Sequence, residues 1–360
     1  MGVLRGGKIM EATGRISSVK RVNSLKAAGI TAAVIFTLAL FLMPLAYGIA
    51  TALKSPNQAA SAEFRVLPLS PAQIEQNGQK LDLFQVPLPD GSVKTLAMIQ
   101  RGRQMSTFAD PANPTAPPLE WKGNWRTLTP ELRLDPQWGN FVTSWQAIDF
   151  VNLLKNTLFY AGVSTFGILL SSSFVAYGFA RFRFPGRNVA FVLVLATMIL
   201  PNMITLIPTY TFFFSIGWVG SWLPLLVPAF FANGFNIFLL RQFFMGIPRE
   251  LDEAAKIDGA GPLRTLYQVI LPQAVPALVA AGLFNFFYCW NDYFLPLIYL
   301  AGHPALYPIS VGLSAFSTQY VIYPYLVQSA SILASLLPII IFFFTRRFFM
   351  EGVVLAGVDK

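Results

Sequence analysis

The sequence predicts an all-α polytopic membrane protein with six transmembrane helices and a partly β external insert after the first helix. Three observations predict it: a composition that is 54% hydrophobic and only 12% charged, six apolar runs long enough to cross a bilayer, and basic residues gathered at the ends of those runs. A soluble domain carries roughly 25% charged residues. The formal charge of +9 points to lipid headgroups and membrane topology; the clustering at span ends gives it no nucleic-acid role. One cysteine and one histidine allow neither a disulfide framework nor a Cys/His metal site.

A hydrocarbon core needs about 20 helical residues. Runs of that length lie near 29–52, 156–179, 189–211, 222–244, 275–300 and 326–348. The first follows a basic N-terminus, residues 1–28, that holds Arg5, Lys8, Arg15, Lys20, Arg21 and Lys26 against Glu11. The positive-inside rule therefore places the N-terminus in the cytoplasm. Later loops agree: Arg181, Arg183 and Arg187 follow span two, Arg241, Arg249, Lys256 and Arg264 follow span four, and Arg346 and Arg347 follow span six. The loops at about 212–221 and 301–325 contain no Lys or Arg. This gives N-in/C-in topology with a short cytoplasmic tail, 350–360. Ala50, Thr51 and Ala52 leave open a cleaved signal peptide for the first run, but its apolar core exceeds the usual 7–15 residues. Prolines within the spans, such as Pro44, Pro201, Pro208, Pro224, Pro228, Pro276, Pro296 and Pro338, suit either broken helices in a moving pathway or ordinary membrane packing.

Residues 29–53 form the first span and 54–139 the external insert. Between 54 and 152 there are nine basic and nine acidic side chains, so the segment is near neutral. Leu81 to Ile99, with Pro89, Asp90 and Gly91 between two strand-like runs, reads as a β-hairpin. Four prolines between Asp110 and Pro118 impose extended chain. The insert is open to two readings, a contact surface for an external partner or a spacer.

Residues 140–349 hold the other five spans and a cytoplasmic loop, 245–272. In that loop Pro248 favours a helix start, Glu250, Asp252 and Glu253 suit the positive end of the helix dipole, and Gly259 can end the helix. Asp252 precedes Lys256 by four residues in the favourable order for a helical pair. Leu251, Ala254 and Ala255 form a narrow apolar stripe that admits a close partner surface. Periodicity alone is equally compatible with a helix lying on lipid. A second helix is expected from about Pro262 to Ile270.

The residue order distinguishes these. Glu253-Ala254-Ala255, then Gly259, then Val269-Ile270-Leu271-Pro272 resembles the E-A-A, G, I-x-L-P signature of binding-protein-dependent permeases, with Val269 in place of the usual isoleucine. The stretch from Ile247-Pro248-Arg249-Glu250-Leu251 to Pro272 resembles the carbohydrate branch, the one that includes the smaller permease subunit of maltose importers. Asn140 to Gly162, Trp290-Asn291-Asp292-Tyr293-Phe294-Leu295-Pro296-Leu297, and the tail from Arg346 to Lys360 are also similar to that branch. The resemblance covers about 140–360 and the first span, and says little about the insert.

It implies the type I ABC importer permease fold in a bacterial or archaeal cytoplasmic membrane. It further implies a non-catalytic subunit that imports a sugar or oligosaccharide. Its partners would be a cytoplasmic ABC ATPase dimer, a second permease subunit that is a distinct larger homologue, and an external substrate-binding protein. Glu253, Ala254, Ala255 and Gly259, with Leu251 and Asp258 beside them, would be the residues that couple to the ATPase. ATP and Mg would be bound by that partner; this chain has no cofactor. Gly2 to Lys8 matches the glycine and lysine spacing of a phosphate loop, but Ile9 stands where the magnesium-binding hydroxyl is needed.

Asp292 is the main ionisable residue within or near the spans, so it is a pathway residue, one end of an interhelical hydrogen bond, or an exposed position at the outer boundary. Asn202, Asn233, Asn236, Asn285, Asn291, Tyr288 and Trp290 add amides and rings that could meet sugar hydroxyls and apolar sugar faces. Rival functions are an importer permease for a non-sugar solute, an ion-coupled secondary transporter, and a membrane receptor or scaffold. The secondary transporter is disfavoured because neither internal repeats nor several buried charges are visible.

Overall fold

A computed structural model describes residues 6–59, 65–76, 78–113, 116–317 and 322–355, with side chains from Lys26 to Arg346 except Asn202. The side chains of residues 1–25, which hold all of the N-terminal basic residues but Lys26, and those of Arg347 and the tail 350–360 lie outside that set. The chain divides into two compact units, Met1–Trp138 and Gly139–Lys360.

The first unit begins with helix α1, Gly6–Ala52, followed by a short turn of helix, α2, Pro56–Ala59. The apolar part of α1, Lys26–Ala52, is long enough to span a membrane, and no position of its most apolar stretch is buried. Among the described residues eight strands follow: β1 Leu69–Pro71, β2 Gln73–Gln76, β3 Gln79–Pro87, β4 Val93–Gln100, β5 Met105–Ala109, β6 Leu119–Lys122, β7 Thr129–Pro130 and β8 Leu132–Leu134. Strands β2 to β6 pair in sequence order into an antiparallel sheet, with β7 on β3, while β1 pairs with β8. The register of β3 with β4 sets Phe84 opposite Leu96 and Pro87 opposite Val93. Gly91, at φ 81°, supplies the left-handed residue of the turn between them. Period-two alternation buries both faces. Phe84, Val86, Leu96, Met98 and Phe108 make one core with Leu128, and Leu81, Ala97 and Ala109 make the other.

The second unit is helical: α3 Gly139–Ala147, α4 Phe150–Arg181, α5 Arg187–Thr197, α6 Asn202–Ser215, α7 Leu223–Leu226, α8 Gly234–Gly246, α9 Glu250–Ile257, α10 Pro262–Thr265, α11 Leu271–Gln273, α12 Val275–Asn291, α13 Phe294–Tyr299, α14 Ile309–Gly312 and α15 Pro324–Leu355. Three 3₁₀ segments connect some of these helices. A π-helical turn, Leu266–Ile270, joins α10 to α11.

Among the described residues four helical segments are long and apolar enough to cross a membrane, or five if the bent pair Pro262–Gln273 and Val275–Asn291 is one span. The run expected as span three is two helices of 11 and 14 residues, broken between Thr197 and Asn202. Pro201 explains the break, because it removes a backbone donor and disfavours helix in the residue before it. The fourth run is also interrupted. Pro224 and Pro228 loosen its first half into α7 and a 3₁₀ turn, and Ala232 takes φ 62°, ψ 177°. Asn233 then caps α8 by accepting a hydrogen bond from the Asn236 N–H at 2.9 Å. Ser171 of α4 donates to the carbonyl of Ala229 at 3.1 Å, satisfying backbone that the 3₁₀ turn releases. By contrast α4 runs unbroken for 32 residues with no proline.

Small residues let these helices approach closely. A Cβ on Gly167 would meet the Phe230 ring at 2.8 Å, and one on Gly234 would meet the Val194 carbonyl oxygen at 2.8 Å. The largest core cluster joins Tyr177 and Ala180 of α4 to Leu240 and Phe244 of α8 and to Leu266 and Ile270.

Candidate functional site

Two features of the helical unit are candidates for function: the α9 helix and a cavity between α8 and α12.

Helix α9 starts with three acids in its first turn, Glu250, Asp252 and Glu253, and has Lys256 in its last, matching the helix dipole at both ends. Its end is a Schellman motif. The Ala260 N–H donates to the Ala255 carbonyl at 2.8 Å and the Gly259 N–H to the Lys256 carbonyl at 3.0 Å, with Gly259 at φ 76°. Open space surrounds the position of a Cβ on Gly259, so glycine is needed there for its backbone conformation alone.

The helix has two unlike sides. Leu251, Glu253, Ala254, Ile257, Asp258 and Gly259 are exposed, while Ala255 is buried. The stripe of Leu251, Ala254 and Ala255 expected to face a partner is therefore split. Ala255 packs inward, because a helix seated on its own domain needs a small residue where it touches. Exposed Leu263 and Tyr267 lie just beyond, on α10 and the π turn.

Asp252 also points inward, and its expected partner Lys256 is replaced by a more distant one. The Arg181 Nε, at the end of α4, stands 3.1 Å from Asp252 Oδ2, with the arginine side chain only 7% exposed. That N–H is angled off the oxygen, so the contact is an ion pair and falls short of a hydrogen bond. A second arm of the guanidinium donates to the Ile247 carbonyl at 2.9 Å.

The cavity, of about 400 Å³, is lined by Asn233, Phe235, Asn236, Phe284, Asn285 and Tyr288. It opens beside the break at Ala232. The structure thus brings Asn236, Asn285 and Tyr288 together with Asn233, and adds two phenylalanines that sequence reasoning missed. Asn236 is 3% exposed; its Nδ2 donates to Asn233 Oδ1 at 3.0 Å, and its own Oδ1 has no hydrogen-bond partner. Asn285 Nδ2 donates to Thr165 of α4 at 3.2 Å. Unsatisfied buried acceptors cost about 1–3 kcal/mol, so the Asn236 carbonyl is a ready acceptor for a hydroxyl or amide donor.

Trp290, Asn291 and Asp292 do not line this cavity. Trp290 is 4% exposed and stacks on Phe286 with centroids 5.6 Å apart, as a core residue. Asn291 Nδ2 turns back to the Phe287 carbonyl at 2.8 Å. Asp292 makes an interhelical hydrogen bond. Its carboxylate accepts from Tyr160 Oη of α4 at 2.8 Å and from the Leu295 N–H at 3.2 Å, and its carbonyl accepts from Ser310 Oγ at 2.7 Å. Nearby, Asn156 holds the carbonyls of Ala305 and Tyr307 at 2.8 and 3.0 Å, and Thr157 Oγ1 accepts from the buried Ile309 N–H at 2.8 Å.

With this geometry in place, the family can be assigned. Residues 164–351, more than half of the chain, match the binding-protein-dependent transport system inner membrane component family. The chain belongs to that family. It is a multi-pass membrane permease, and α9, with its Glu253-Ala254-Ala255 and Gly259, lies inside the matched region. Similar proteins include a probable ABC transporter permease of Pyrococcus horikoshii, 31% identical over 208 residues, which are 58% of this chain and 75% of that one. The sn-glycerol-3-phosphate transport system permease protein UgpE of Pectobacterium atrosepticum is 31% identical over 243 residues, 63% of this chain and 82% of that one. The arabinooligosaccharides transport system permease protein AraQ of Bacillus subtilis is 30% identical over 203 residues, 56% of this chain and 72% of that one. The permease also shares its fold with a chain of a bacterial ABC transporter that imports the acidic polysaccharide alginate, at TM-score 0.61 and 19% identity, covering 93% of this chain and 98% of the other.

Proposed function

We propose that this permease carries a sugar or oligosaccharide, handed over by an external binding protein, into a bacterial or archaeal cell. A cytoplasmic ATPase dimer on separate chains binds ATP and magnesium and drives alternating access, and a second, distinct permease subunit completes the pathway. The observation that carries this reading is α9: a short helix closed at its C-terminal end by Gly259, with Glu253, Ala254 and Ile257 exposed, inside the family-matched region and shaped to enter a cleft in another protein. In this reading the chain crosses the membrane six times, with α5 and α6 as one broken span and both termini in the cytoplasm. The charge distribution supports that orientation.

The cavity is the solute's passage in this subunit. Its amides and rings match the hydroxyls and apolar faces of a sugar, and no lining residue is charged at neutral pH, which favours a neutral solute. The test is reconstitution of the full complex in vesicles. Co-purification of an ATPase whose activity rises when the loaded binding protein is added supports the reading; a correctly assembled complex without stimulation sinks it. Competition for uptake by neutral sugars but not by sugar phosphates separates the sugar reading from that of a non-sugar or anionic solute.

A further inference from the structure

Helix α9 is joined by the chain to α8 on one side and to α10 on the other. Both routes into the membrane are broken: α8 is separated from α7 by the turn at Ala232 and Asn233, and the helix from Pro262 to Gln273 meets α12 at 81°. The chain gives α9 no direct route to α4. Arg181 provides one. It is the last residue of α4, and its guanidinium bridges the Asp252 carboxylate in the first turn of α9 and the Ile247 carbonyl that caps α8. The planar fork of arginine holds two acceptors in a fixed geometry, which the compact ammonium of lysine does not. Its chain neighbours Tyr177 and Ala180 belong with Ile247 to the main core cluster, the arginine side chain is only 7% exposed, and exclusion of water strengthens the attraction.

We propose that the Arg181–Asp252 pair is the joint through which movement of α9 is passed to α4, so that α4 carries it as a rigid rod to the cavity. Arg181 is a positioning residue in this scheme, acting through Asp252 and α4. At about 1.5 Å per residue, the rod runs on the order of 24 Å from Arg181 to Thr165, whose hydroxyl meets Asn285 in the cavity wall. The two sides of α9 divide the work: Glu253 and Ala254 face outward for a partner, and Asp252 and Ala255 face inward. An ion pair without a locked hydrogen bond can hold through a small rotation of the helix.

The proposal rests on the reading of α9 as an ATPase-coupling helix. It is tested in the whole reconstituted complex by measuring solute moved per ATP hydrolysed, per assembled complex. Arg181→Gln and Asp252→Asn are each expected to lower that ratio by roughly five- to 150-fold, the range of typical coupling energies, with the ATPase still bound. The swap Arg181→Asp with Asp252→Arg is expected to recover most of the ratio, which a merely structural loss would not. Arg181→Lys, which keeps the charge but loses the fork to Ile247, is expected to fall between. An unchanged ratio in both neutral variants, or a swap no better than either, overturns the proposal. Where a neutral variant does not assemble, Arg181→Lys decides: a lowered ratio supports the joint and an unmodified ratio overturns it. Failure of the underlying reading looks different, because the unmodified complex would then show no ATP-dependent uptake.

Discussion

The two ends of α4 are held in opposite ways. At its beginning, Asn152, Asn156, Thr157 and Tyr160 tie the helix by hydrogen bonds to the segment 292–309, with every partner in good geometry. At its end, one guanidinium spans two other elements, and one of its two contacts is ionic without alignment. The first is a fixed anchor and the second a joint. A network of several aligned hydrogen bonds rigidifies its surroundings, whereas an unaligned ion pair tolerates displacement. A transporter that must move one face while holding the other needs both.

The largest effects should come from the joint side. Glu253→Lys reverses an exposed charge on the outward face of α9 without touching the core. Folding and membrane insertion should be unchanged while ATP-driven uptake in vesicles falls by more than tenfold, a loss of about 1.4 kcal/mol or more in coupling. Normal uptake would remove α9 from the coupling role. On the anchor side, Asp292→Asn should leave uptake nearly intact and lower thermal stability, since Asn can still accept from Tyr160. A large uptake defect in a stably assembled complex would return Asp292 to the pathway.

Thr157→Val sharpens the contrast further. It keeps the side-chain shape and strands the buried Ile309 N–H, which costs about 1–3 kcal/mol. Thermal unfolding should register that loss, with solute moved per ATP unchanged. If the ratio changed instead, the anchor would be part of the moving machinery.

Much of α9 was legible in the sequence, because helix starts, dipole-matched acids and a terminal glycine are local signals. Gly259 sits where a left-handed residue closes the helix, and Pro89-Asp90-Gly91 sits at the turn between β3 and β4. What sequence reasoning missed is long-range. Lys256 stands one helical turn after Asp252, yet Arg181, 71 positions earlier in the chain, takes the carboxylate because α4 ends beside α9. Arg181 reads in the sequence only as a topology charge. Trp290 and Asn291 are close to Asn285 and Tyr288 in sequence, but Trp290, two positions after Tyr288, falls on another face of α12, and Asn291, one turn after Tyr288, bonds its own helix at the Phe287 carbonyl. The break in span three could be read from Pro201; that at Ala232 could not, since alanine gives no hint of positive φ.

The smallest predicted effect concerns the sheet of the first unit, where Lys94 pairs with Asp110. That hydrogen bond, first, and the Ala112 N–H hold the Asp110 carboxyl below its usual value of 3.8. A depressed folded-state value means that the contact stabilises above pH 3.8 and is lost as pH falls through the lower value. Lys94→Gln should therefore flatten the acid side of the sheet's stability profile, by removing a small contribution at neutral pH and none at low pH, because exposed ion pairs contribute little. Hydrogen exchange of β4 and β5 at pH 3 and pH 6 measures the difference. A loss of protection equal at both pH values would mean that Lys94 acts through packing of its alkyl stem, and the sheet, like the beginning of α4, would then be held by fixed contacts alone.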